Sequence, residues 1–137
     1  MNFIHRGIQH NGGNEADQAA EQARHQWTSA LLTDETRAWV HVKESDSGAV
    51  VGLIVLLTLA GLTYAYDKKR DDTPEIRIIR GALSALEQCS NNGFVITVDT
   101  ARAISSACNR ARSVFQDASL GAIKHAANYL QKMAVAQ

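Results

Sequence analysis

The side chains able to do chemistry are scattered along this chain and form no recognisable constellation. His5, His10, His25, His41 and His125 build no close His/Cys/Asp/Glu cluster at metal-ligand spacing, and Cys89 and Cys108 have no second cysteine near either of them. His125 follows Lys124, which reads as a solvated helical position. Ser105, Ser106 and Cys108 fall on one helical stretch without the elbow motif that exposes a nucleophile. Asn11-Gly12-Gly13-Asn14 lacks both the preceding strand and the following lysine of a phosphate loop. No carboxylate pair is positioned for acid–base work. The expectation is a protein that is not an enzyme, with no metal, no cofactor and no small-molecule substrate.

Two basic groups remain. Lys68-Lys69-Arg70 can meet anionic lipid headgroups, or serve only as the charged flank that stops a membrane segment. Arg102, Arg110 and Arg112 have no interleaved aromatics, so they read as the solvated face of a helix, and no nucleic acid is expected.

The elements that would carry these residues are dominated by one segment. Residues 49–66 read AVVGLIVLLTLAGLTYAY, 18 positions without a charge. At 1.5 Å per residue they span roughly 27 Å, close to the hydrocarbon thickness of a bilayer. Tyr64 and Tyr66 stand just before the cationic cluster, where an interfacial aromatic belt belongs. The segment reads as a membrane-spanning helix, against the alternative of a core helix in a soluble oligomer. Gly48, Gly52 and Ala60 share a face of small residues on which two such helices can approach closely.

The span divides the chain into an N-terminal arm (1–48), the apolar helix (49–66) and a C-terminal helical domain (67–137). The arm has four bases and seven acids, the C-terminal part ten bases and seven acids. Lys/Arg bias near the span places the C-terminus in the cytoplasm and the N-terminus outside. Met1–Arg6 has no apolar core of signal-peptide length. The cysteines then lie on the reducing side and read as buried thiols.

An amphipathic helix is expected over about 14–32, capped by Asn14, with the stripe Ala16, Ala20, Ala23, Trp27 and Ala30. Alanine faces gain only from close packing, so this stripe is expected to dock on another chain with Trp27 as anchor. Residues 38–42 read as a short strand or an extended connector. After the span, Thr73-Pro74-Glu75 starts a helix and Asn91-Asn92-Gly93 ends it. Asp99 or Thr100 is expected to cap the next helix and Asp117 the last. Apolar positions at 3-4-3-4 spacing place Ile79, Leu83, Leu86, Ile104, Cys108, Phe115, Ile123 and Leu130 inside a three-helix bundle.

The fold class is therefore all-α: a transmembrane-type helix flanked by one amphipathic helix and a bundle. The leading function is a structural single-pass membrane subunit of a larger assembly, such as a membrane complex, a secretion machine or a membrane-associated virion. Its partners are other protein subunits, a second copy of itself and the lipid bilayer. The alternative is a soluble helical virion-core, ejection or interaction protein whose apolar helix is buried by oligomerisation. A third option is a holin-like permeabilising protein.

Overall fold

A computed structural model describes residues 11–40, 47–70, 72–93 and 96–136. Five α-helices account for the regular structure among these residues: α1 (Asn11–Val40), α2 (Ser47–Lys68), α3 (Pro74–Asn91), α4 (Val98–Asp117) and α5 (Leu120–Ala136). Helix α2 contains the apolar run and packs against all four others, while α1 also packs on α4 and α5, and α3 on α4.

The caps follow local chemistry. Thr73 has an extended backbone and its hydroxyl accepts the Ile76 N–H, with Pro74 opening α3. The chain leaves α3 through Asn92 and then Gly93, whose φ of 77° is a left-handed conformation that glycine adopts freely. Two expected caps shift. Thr97, not Asp99 or Thr100, caps α4 by accepting the Thr100 N–H. Ser119, not Asp117, sits ahead of α5, where its hydroxyl accepts the Ala122 N–H. In each case a hydroxyl immediately before the helix takes the position; Asp99 and Asp117 lie inside α4.

Helix α1 is longer than its alanine stripe predicts. It begins at Asn11, so Asn14 lies within it, and it runs through the 38–40 stretch expected to be extended. The Thr33 and Thr36 hydroxyls donate back to the carbonyls of Ser29 and Leu32, which lets both threonines sit in a helix. Leu31 just before that extension and Ala38 on it are buried, so packing outweighs the weak strand pattern. The rest of the strand-or-connector stretch, residues 41 and 42, lies outside the described residues.

One core runs through the whole molecule. Leu31 of α1, Leu53 and Leu57 of α2, Ile79 and Leu86 of α3, Ile104 and Phe115 of α4, and Ile123 of α5 are all essentially inaccessible. Each fully buried side chain of this size contributes roughly 1.5–3 kcal/mol. The C-terminal stripes thus face α2 as well as each other. Leu130, expected inside, is exposed, because it sits at the rim of an open groove beside Ile54, Val55 and Leu59 of α2.

The N-terminal arm and the C-terminal helices touch directly. Glu35 of α1 pairs with Arg112 of α4 at 3.3 Å. Arg24 of α1 donates to the carbonyl of Gln116 at 2.6 Å and to that of Ala118 at 3.0 Å. Asp17 of α1 meets Lys124 of α5 at 2.7 Å. In this packed form no bilayer separates the two arms.

Candidate interaction surface

Helix α2 determines the surface. The face turned to the other helices is sealed, with Ala49, Leu53, Leu57 and Ala60 inaccessible. The opposite face is a strip of Val51, Val55, Thr58, Leu62 and Ala65, at helical 4-3-4-3 spacing, with Tyr66 beside its end. Val51 is 53% exposed, Val55 39% and Tyr66 50%. The strip carries no charge. The Thr58 hydroxyl, its most polar group beside the Tyr66 phenol, donates to the Ile54 carbonyl of its own helix.

Two grooves flank this seam, and Thr58 borders both. On the α3 side a groove of about 320 Å³ is lined by Leu57, Gly61, Leu62 and Ala65 of α2 and by Ile76, Ile79, Arg80 and Leu83 of α3. On the α5 side one of about 120 Å³ is lined by Ile54, Val55 and Leu59 of α2 and by Tyr129, Leu130 and Met133. Tyr66 stacks on His125 of α5, with ring centroids 4.3 Å apart and planes 13° apart, closing that side near the end of α2.

The sequence-predicted residues divide among several places. Trp27 is buried against its own chain, its ring 5.2 Å from that of Phe115, and Ala20 is buried with it. Ala23 and Ala30 are half-buried and Ala16 is exposed. The anchor of the alanine stripe is thus engaged within the chain. Of the small-residue face, Ala60 is buried, Gly48 is exposed, and Gly52 lies against α1. A β-carbon at Gly52 would collide with the Asp34 carboxylate, so the glycine admits a charged side chain of α1 to the apolar helix. Lys68, Lys69 and Arg70 are exposed around the turn after α2, where Lys69 takes a φ of 56°.

Sequence reasoning missed the acids of α1. Glu35 accepts from the Ser105 hydroxyl at 2.9 Å and from Arg112, which also contacts Asn109. Burial first, and the nearby Glu35 second, push the Cys108 thiol up to about 12, so it is no nucleophile at neutral pH. Burial likewise raises the Cys89 thiol. No spacing signal announced this cluster, since Glu35 and Arg112 lie on helices far apart in sequence. Burial also works against ionisation of Asp67, but the N–H and hydroxyl of Ser119, with Lys68, more than offset it and hold the carboxyl below its ordinary range. Among the described residues no group of three or more His, Cys, Asp or Glu could hold a metal ion.

Fold and surface together define an all-helical bundle whose hub is a helix long and apolar enough to cross a membrane, Gly48–Lys68. Comparison of this chain with protein-family models, curated proteins and solved structures gave no match.

Proposed function

We propose that this chain is a non-enzymatic structural subunit of a membrane-linked assembly, such as a membrane complex, a secretion machine or a membrane-associated virion. In this reading it keeps its bilayer-length helix packed as the hub of a bundle and engages its surroundings through the open seam of that helix. One observation carries the reading: among the described residues, α2 is uncharged over a membrane's thickness, packs on the four other helices, and is open along the strip from Val51 to Tyr66. The charges brought to the flank of the bundle, Asp34 beside Gly52 and the Glu35–Arg112 pair, favour the packed form, because lipid around the whole of α2 would have to displace them.

A second reading rests on a separate observation. Gly48–Lys68 has the length and hydropathy of a full span and ends in Tyr64, Tyr66 and the Lys68-Lys69-Arg70 cluster. It has the same chain cross the bilayer once, with α1 and the α3–α5 helices apart. Membrane fractionation with crosslinking separates the two. A packed subunit sediments with membranes and is released at high pH, crosslinked to neighbours; a single-pass span stays in the pellet. A chain found wholly in the soluble fraction sinks both readings and leaves the soluble oligomer.

A further inference from the structure

We infer that the seam of α2, with the α3 and α5 surfaces beside it, is a docking face for an anionic lipid leaflet, on which the closed bundle lies with α2 along the membrane plane. The inference rests on the packed-bundle reading above and names what the seam contacts.

Shape and charge carry it together. α3 and α5 flank α2 without closing over it, so the uncharged strip from Val51 to Tyr66 stays open between two apolar grooves. Such a strip, along the full length of a helix and rimmed by amphipathic side chains, suits the boundary between headgroups and acyl chains. The three helices around it, α2, α3 and α5, carry five bases (Lys68, Arg77, Arg80, Lys124, Lys132) and three acids (Asp67, Glu75, Glu87). Some of these charges are paired: Asp67 accepts the Ser119 N–H and meets Lys68 at 3.5 Å, Glu75 faces Arg110 at 3.8 Å and accepts from the Tyr64 hydroxyl, and Lys124 meets Asp17 of α1 at 2.7 Å, which leaves Arg77, Arg80 and Lys132 against Glu87. Arg77 and Arg80 are exposed, and Arg80 lines the α3 groove. Helix α5 has no acid. Helix α1, which packs on α2, α4 and α5, carries five acids and two bases. The three helices that border the strip are therefore net cationic, with Arg80 at the groove itself, while α1 is net acidic, a polarity that orients the molecule toward an anionic surface. Tyr129 and Tyr66 present aromatic rings on that side, as residues at a lipid interface do.

The test is vesicle flotation of the full chain, with phosphatidylcholine vesicles compared with vesicles containing about one-third phosphatidylglycerol. Maleimide labelling of the native thiols is followed in the same samples. Binding to the anionic vesicles is expected, weakened by salt and reduced roughly fivefold for each charge removed in Arg77→Gln and Arg80→Gln. Val55→Asp should abolish binding while the circular dichroism and elution volume stay those of the parent. Cys108 should remain protected on the vesicle, because the bundle stays closed. Binding unaffected by Val55→Asp and by the arginine variants overturns the inference. So does a dimer that Val55→Asp converts to monomer, which would show a second copy on the seam. Anionic binding accompanied by rapid Cys108 labelling means that α2 has left the bundle to insert, and that result overturns the packed-bundle reading as well.

Discussion

The two long faces of α2 are made of the same residue types and have opposite fates. Leu53 and Leu57 on one face are sealed by neighbouring helices, whereas Val51 and Val55 on the other remain open between α3 and α5. Hydropathy alone cannot tell these faces apart. What separates them is the geometry of the surrounding helices: the amphipathic stripes of α3 and α4 and the buried positions of α1 are enough to cover most of a helix, but not its whole circumference. An apolar segment of bilayer length is thus compatible with a bundle core, provided that something else meets the uncovered strip.

The sharpest way to break this comparison is to truncate one residue on each face. Leu57→Ala should cost about 2–5 kcal/mol, as expected for a fully buried leucine. Val55→Ala, on the open face, should stay within about 0.5 kcal/mol. Chemical denaturation measures both, and equal costs would show that the seam is covered in solution. Gly52→Ala comes next. Its added methyl meets the Asp34 carboxylate, so α1 or the acid must move, at about 1–3 kcal/mol. A neutral result there would show that α1 does not approach α2 closely. Glu35→Gln should cost about 1–2 kcal/mol, by weakening the contacts from Ser105 and Arg112 that tie α4 to α1.

The smallest effect is in acid. The Asp67 carboxyl is held below its ordinary value of 3.8, so its ionised form stabilises the fold. That contribution is complete above the ordinary value and is lost as pH falls through the lowered one. The difference in melting temperature between the parent and Asp67→Asn should therefore be present at neutral pH and shrink as the solution is acidified toward about pH 2. A difference that grows on acidification would contradict the Ser119 contact.

The helices were legible in the sequence because each carries a local mark. Thr73-Pro74 starts α3, Asn91-Asn92-Gly93 ends it, and the 3-4 spacing of Ile104, Cys108, Ala111 and Phe115 gives the buried face of α4. The extension of α1 was not legible, since residues 33–40 are held helical by packing at Leu31 and Ala38 rather than by propensity. Nor was the direction in which the stripes face. A Trp27 flanked by alanines has the same pattern whether its partner is Phe115 or another molecule. The seam was equally hidden, because Val51 and Leu53 differ only in which neighbour arrives beside them. Such differences arise from contacts between elements, from Asp34 with Gly52 at 18 positions apart to Arg24 with Ala118 at 94, to which local periodicity is blind.

The grip of Arg24 on the carbonyls of Gln116 and Ala118 has a consequence in time. During synthesis α2 is finished at Lys68, yet the clasp that holds α1 to the end of α4 needs Ala118, 50 residues later. At about 5–20 residues per second, that interval lasts roughly 2.5–10 s. Throughout it, a nascent helix of bilayer length is available to any insertion machinery near the ribosome, covered by α1 and later α3 but before α4 is complete and α5 exists. On the two readings proposed above, the closed bundle and the threaded form are separated by a race between translation and capture, and slowing elongation between residues 68 and 118 should then tilt it toward the membrane.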